Sequence, residues 1–311
     1  MTASPDTLTL LRELEPTVET NLNRHLATAK EWFPHEYVPW SEGSDFDGVL
    51  GGQAWDPEQS RLPEVARTSL IVNLLTEDNL PSYHHEIATT FGRDGAWGTW
   101  VHRWTAEEGR HGIAIRDYLL ATRAVDPVAL ERARMQHMAG GFTNGHDGVL
   151  SSIAYVSFQE LATRVAHRNT GKVSGDPICD QLLAKVAADE NLHMLFYRNL
   201  LTAAFELAPD AAMRAVCDVV KDFQMPGHTI ENFGRKSVQI AMAGIYDLRI
   251  HHDEVVTPIL RQLRVLERDG FSGEGEKARE ELVEFMTGLD TAASRFEAKR
   301  EAALARVKSR A

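Results

Sequence analysis

Between residues 96 and 122 the positions Trp97, Val101, Trp104, Glu108, His111, Ile115 and Tyr118 follow one another in alternating steps of four and three. That spacing is the period of one helix face, so the segment reads as a buried helix with two polar side chains inside its apolar stripe. Residues 177–206 repeat the pattern with Leu183, Val186, Glu190, His193, Tyr197 and Leu200. A third stripe, in 148–168, runs Ile153, Val156, Glu160, Thr163, His167, and a fourth, in 64–91, runs Leu70, Leu74, Glu77, Pro81, His84. Each carries a glutamate where leucine would pack better. A buried carboxylate without a partner is costly, so it must hold a proton, meet a counter-charge or bind a metal.

Turn-forming residues separate these segments from the rest of the chain. They cluster between Pro34 and Pro63, in GGFTNGHDG at 140–148, NTGKVSGDP at 169–177, MPGH at 225–228 and DGFSGEGE at 269–276. Between them the pattern predicts helices at about 8–30, 64–91, 96–122, 127–139, 148–168, 177–206, 210–224, 235–247, 251–268 and 276–308. Nothing alternates as a strand would, and the fold class expected is all-α. The last helix, rich in Glu, Lys, Arg and Ala, reads as a surface helix or a partly frayed tail. One domain is expected over 1–311, with an amino-terminal arm to about residue 63, a bundle over about 64–206 and flanking helices over about 207–311.

With 43% hydrophobic residues the chain has enough apolar surface for a core. Its two cysteines, Cys179 and Cys217, suggest neither a disulfide framework nor a thiolate metal site. The first residues lack the pattern of a secretory signal and no apolar run is long enough to span a bilayer, so a cytoplasmic protein is expected. A net charge of −12 argues against nucleic acid as a general partner. An acidic protein partner would have to dock on a local basic patch.

Glu108 with His111 and Glu190 with His193 are the two places where glutamate precedes histidine by three. On a helix that spacing puts both side chains on one face, able to hold one metal. Either pair alone would more often be a surface ion pair. Their order in the chain is more telling: Glu77 precedes Glu108 by 31 residues and Glu160 precedes Glu190 by 30, so a helix with Glu followed by a helix with Glu-x-x-His occurs twice. One Glu from each of two helices and Glu-x-x-His from each of two others is the ligand set of ferritin-like di-iron four-helix bundles. Four carboxylates and two imidazoles suit iron or manganese and neutralise two divalent ions. Glu77 and Glu108 are expected to hold one metal with His111, and Glu160 and Glu190 the other with His193, some carboxylates bridging. Pro81 should kink its helix near Glu77, whose carbonyl it leaves without a donor. His84 and His167 read as core histidines or as supports behind the ligands. Glu107, Asp78 and Glu86 are assigned to solvated faces or to positions behind the ligands, and Trp97, Trp100 and Trp104 to the core.

With these residues placed, the chain resembles the soluble acyl-carrier-protein desaturases, in particular their actinobacterial branch. The matching strings are TEDNLPSY at 76–83, WTAEEGRHG at 104–112, YVSFQELATRVAHRNTGK at 155–172 and ADENLH at 188–193 followed by Tyr197, and the likeness extends over roughly residues 10–265. The resemblance implies a pair of iron ions on Glu77, Glu108, His111, Glu160, Glu190 and His193. It implies that the Thr163 hydroxyl lies beside the oxygen-binding face with Trp104 and His167 nearby, that Trp32 of the KEWFP segment and Asp189 form part of an electron path, and that Tyr155 and Tyr197 line the substrate channel.

The activity so implied is removal of two hydrogens from adjacent methylenes of an acyl chain held on acyl carrier protein. Oxygen is reduced to water, and two electrons come from a ferredoxin-like donor. A homodimer is also implied. Carrier-protein docking is expected at Arg24 and Lys30, with Arg164, Arg168 and Lys172 as a second group. The chain departs from the plant-type pattern in having Gly109 in place of asparagine and a shorter connection between the first glutamate and the first Glu-x-x-His. The competing readings are another di-iron oxygenase on the same bundle and a non-catalytic ferritin-like iron protein.

Overall fold

The computed structural model of the chain describes residues 6–143 and 145–309, and every regular element among them is a helix. Helix α1, Thr7–Thr28, is capped by Asp6, whose side chain accepts from the Thr9 amide at 2.8 Å. It buries Leu10, Leu14, Val18, Leu22 and His25 against α4, Gly95–Ala121, and α7, Pro177–Leu207. The Glu15 carboxylate of α1 accepts from the Ala96 amide and so caps α4. Helix α6, Val149–Ser174, lies along α7 over most of its length. α2, Glu64–Asp78, packs on both α4 and α6. The four ligand-bearing stripes thus meet in one bundle.

The stretch expected as one helix over 64–91 is two, because the chain breaks at Asn79 before α3, Leu80–Phe91. Pro81 has no N–H to return to the Glu77 carbonyl and its ring crowds that turn. The Asn79 side chain bridges the gap, donating to the Gly141 carbonyl and accepting from the Ser82 hydroxyl.

Four further boundaries differ from expectation. α6 runs six residues past 168, because the side chains of NTGKVS are held by packing: Thr170 pairs with Ser69 at 2.8 Å and Asn169 donates to the Ile245 carbonyl. Gly171 permits the approach, since a Cβ there would lie 3.1 Å from the Asp180 Cα. The turn is confined to Gly175, with φ +66°, and Asp176, which caps α7. α5, Pro127–Ala139, and α8, Pro209–Lys221, lie close to where they are expected, whereas α9 is Phe233–Met242 and shorter than 235–247. Over 251–268 the helix is interrupted: α10, Leu248–Ile250, passes through a π-turn at His251–Val256 into α11, Thr257–Leu263. Pro258 lacks the donor an α-turn needs there, and a wider turn accommodates it. Finally α12, Gly273–Lys308, is docked and not frayed: it buries Ala278, Leu282 and Ala293, and Glu281 pairs with Arg214 and Lys221 of α8.

The arm over residues 29–63 is irregular apart from three short 3-10 turns. It is tied down by Trp32, Val38 and Leu62, all buried, and by Arg123. Arg123 itself adopts φ +51° and donates to Gln59 and to the carbonyls of Ser44, Asp45, Gln53 and Ala54.

Along α4, Val101 and Trp104 belong to one apolar cluster and Ala114, Ile115 and Tyr118 to another, with Glu108 and His111 between them. On α7 the order is reversed: Leu183 and Val186, then Glu190 and His193, then Met194 and Tyr197. A layer of polar side chains therefore divides two dry clusters.

Candidate metal centre

Glu77, Glu108, His111 and Glu190 bring ligand atoms within 4.8 Å of one another, and so do Glu108, Glu160, Glu190 and His193. All six residues expected as ligands from the helix stripes are buried and lie in these two groups. Glu108 and Glu190, the carboxylates of the two Glu-x-x-His pairs, belong to both and are the ones placed to bridge.

Most of these residues show one atom held from behind and another turned inward. Glu77 Oε1 accepts from His167 Nε2 at 2.9 Å, and His167 Nδ1 in turn accepts from the Asn73 amide at 3.2 Å, which leaves the imidazole proton on Nε2. Glu160 Oε1 accepts from Trp104 Nε1 at 2.9 Å, and Glu190 Oε2 lies 3.0 Å from the Thr163 hydroxyl. The Thr163 oxygen also lies within hydrogen-bonding distance of the Glu160 and Gln159 carbonyls, so its single proton has three acceptors to choose from.

Both imidazoles are anchored alike. His111 Nε2 meets Asp189 at 3.3 Å, and the Asp189 carboxylate also accepts from Trp32 Nε1 at 2.9 Å and from Arg110. His193 Nε2 meets Glu107 at 2.9 Å, and Glu107 also receives His25 Nε2 at 2.9 Å and Arg103. Asp189 and Glu107 each sit immediately before the glutamate of a Glu-x-x-His pair, so the doubled pattern extends one layer outward. His25 completes the second arrangement from α1 and has no equivalent in the sequence reading. Its only signal there is its place as the last member of the buried α1 stripe.

What remains is a set of buried atoms without hydrogen-bond partners: Glu108 Oε1, His111 Nδ1, Glu160 Oε2, Glu190 Oε1 and His193 Nδ1. His193 Nδ1 and Glu108 Oε1 come within 2.7 Å without hydrogen-bond alignment, and His111 Nδ1 lies 3.3 Å from Glu190 Oε1. Orphaned buried acceptors that converge in this way are costly unless a cation sits among them. Hard carboxylate oxygens with imidazole nitrogens are donors that suit iron or manganese. The residues present therefore fit a pair of such ions.

The electrostatics agree. Burial and the charge of Glu190 push the Glu108 carboxyl up, and burial with the charges of Glu190 and Glu108 pushes Glu160 well up. Glu77, although burial opposes it, is held down to about 2 by hydrogen bonds from His111 and His167. Carboxylates pushed apart in this way are repelling one another across a space that cations would neutralise.

Two cavities meet at the cluster, sharing Thr76, Glu77 and Thr163. One, about 630 Å³, is lined by Val72, Met225, Phe233, Ile240, Ile245 and Tyr246 among others. The second, about 520 Å³, extends past Trp104 and Glu108 to Tyr83, Ile87, Phe142 and Tyr155. Both walls are chiefly apolar. Tyr155 thus faces a cavity, its hydroxyl donating to the Gln224 carbonyl at 3.1 Å. Tyr197 lines neither; it is fully buried and accepts from Trp100 Nε1 at 3.0 Å. His84 does not join the cluster but bonds Thr105 at 2.8 Å, because the break at Asn79 re-phases α3 relative to α2. Asp78 pairs with Arg134, and Glu86 lines the second cavity. Arg24 and Lys30 are exposed. Arg24 borders a small pocket beside His25 and Asn199 that shares no lining residue with the two cavities.

A family model described as fatty acid desaturase matches residues 6–310. The chain is 54% identical to DesA1 of Mycobacterium tuberculosis, named as an acyl-(acyl-carrier-protein) desaturase, over 98% of this chain and 93% of that protein. It is 31% identical to the chloroplastic stearoyl-(acyl-carrier-protein) 9-desaturase 6 of Arabidopsis thaliana, over 83% of this chain and 68% of that protein. The crystal structure of DesA2 from Mycobacterium tuberculosis superposes with a TM-score of 0.72 at 33% identity, covering 84% of this chain and 96% of that one.

Proposed function

The chain belongs to the fatty acid desaturase family, and on that premise we propose that it is an acyl-(acyl-carrier-protein) desaturase that works through two iron ions. The observation that carries the reading is the meeting of two apolar cavities at a cluster of six inward-facing ligands. The reaction replaces –CH2–CH2– by –CH=CH–, consuming one O2, two electrons and two protons and releasing two waters. Two iron ions held by Glu77, Glu108, His111, Glu160, Glu190 and His193 would supply the oxidising power that breaking an unactivated C–H bond requires.

The protein's own part is placement. Trp104, His167 and Thr163 hold one oxygen of Glu160, Glu77 and Glu190 respectively and so leave the other free for metal. The apolar walls exclude water and fix an acyl chain against the cluster, turning an encounter into a positioned reaction. Thr163 lines both cavities and touches Glu190, which places its hydroxyl between substrate and ligand. Trp32, Asp189 and His111 form an unbroken hydrogen-bonded path, with the Arg110 guanidinium 4.4 Å from the Trp32 ring, by which electrons from a ferredoxin-like donor reach the metals. No helix among the described residues is long and apolar enough to cross a membrane.

The test is to incubate iron-loaded protein with acyl carrier proteins of several chain lengths, ferredoxin, its reductase and O2, and to analyse the released acids. A mono-unsaturated product at one position is expected. Full iron occupancy with only saturated acid recovered overturns the proposal.

A further inference from the structure

Accepting that reading, the geometry points to the face around α9 as the docking surface for the acidic carrier protein, with the acyl chain entering through the cavity lined by Phe233, Ser237 and Ile240. Those three residues share one face of α9 and line the 630 Å³ cavity that reaches Glu77. The half-buried side chains of Val65, Ala133, Val173, Phe233 and Tyr246 pack at the outer edge of the same apolar cluster, so four helices and the loop after α9 frame this side.

Within two residues of that frame stand Arg67, Arg132, Lys172 and Arg235, and none of the four is held in a salt bridge. Lys236, next to Ser237, donates only to the Glu231 carbonyl. The acidic side chains equally near are Glu64, Glu131, Glu231 and Asp247, of which Glu131 is engaged by Arg134 and Asp247 by Arg300. In a chain of net charge −12, unpaired cations gathered at one opening are what an acidic partner would meet first. The second cavity presents the opposite face: Glu86 lines it, and Tyr83 and Phe142 close it edge to face with ring centres 4.8 Å apart. An acidic carrier is repelled there. The direction of the acyl chain follows: thioester near α9, reacting methylenes at Glu77 and Thr163, distal carbons toward Phe142.

The test compares two charge reversals, Lys172→Glu with Arg235→Glu, and Arg24→Glu with Lys30→Glu, in the full iron-loaded chain. Binding of a stearoyl-loaded carrier protein is measured by calorimetry and turnover by product analysis. The first pair should weaken binding and raise KM about tenfold, leave kcat and iron content unchanged, and flatten the dependence on salt. The Arg24 and Lys30 pair should change none of these. Unaltered affinity in the first variant, or the full loss in the second, overturns the α9 assignment while leaving the desaturase reading intact. An unaltered protein that neither binds nor desaturates the loaded carrier overturns both.

Discussion

Replacing Glu107 tests whether the layer behind the ligands governs metal binding. Its Oε2 accepts from His25 and His193, each at 2.9 Å, and its Oε1 from Arg103 at 2.6 Å. Glutamine keeps the volume but offers one oxygen and one amide donor. If the amide faces the histidines, three N–H groups collide and His193 must turn away from the metal. If it faces Arg103, only that guanidinium is displaced, and its side chain is 42% exposed and can swing into water. The second orientation costs less, so His193 keeps a neutral acceptor and loses only the charge. Glu107→Gln should therefore weaken one of the two metals about tenfold, or ~1.4 kcal/mol, and Glu107→Ala, which removes the acceptor, about a hundredfold.

Titration with Fe(II) or Mn(II) against a chelator should resolve one unaltered and one weakened site per chain. In metal-free protein the alanine variant should also lose about 3 kcal/mol of stability, since it strands buried imidazoles. Hydrogen bonds and charge from His193 and His25 outweigh burial and hold the Glu107 carboxyl well below its ordinary 4.5. Its contribution is thus fully present above about pH 4.5 and is lost as pH falls further, so the variants and the parent should converge in acid. Two equally tight metals in both variants would refute the claim that Glu107 supports His193.

Thr163→Val, nearly isosteric, should keep both metals while slowing turnover at least tenfold or diverting O2 to peroxide; loss of iron with an unchanged rate per metal would make Thr163 a structural residue. Arg123→Ala strips five acceptors in the arm of their donor and should cost about 2–3 kcal/mol, with faster amide exchange over 44–54 and little change at the cluster. Burial, with His252 nearby, pushes the His251 imidazole from 6.5 down to about 4 while Tyr246 donates to its Nδ1 at 2.8 Å. The unfolded chain takes up the proton first, so stability should fall as pH drops from about 6.5 to 4, and His251→Asn should flatten that limb in pH-dependent thermal melts.

The six ligands were legible because each pair is a local matter. Helix spacing alone puts Glu108 with His111 and Glu190 with His193, and a polar side chain in a buried stripe marks itself by breaking the apolar pattern. Helix identity followed for the same reason. The path through Trp32 and Asp189 came from family likeness and not from spacing, and the geometry joins those residues end to end.

Whatever depended on residues distant in the chain was settled only by packing. Glu107 could be placed either in solvent or behind a ligand by its own helix, and α1 chose by bringing His25 against it. Lys172 and its neighbours looked like a turn until Ser69 and Ile245 held α6 straight. His84 left the cluster because one proline and the loop at Gly141 re-phased a helix that periodicity treats as continuous. Which two glutamates stand between both metals, and which cavity meets a basic rim, are properties of the assembled bundle. Periodicity along one helix assigns a face, but the neighbour that face will meet depends on the rotation and crossing of other helices, which no local spacing encodes.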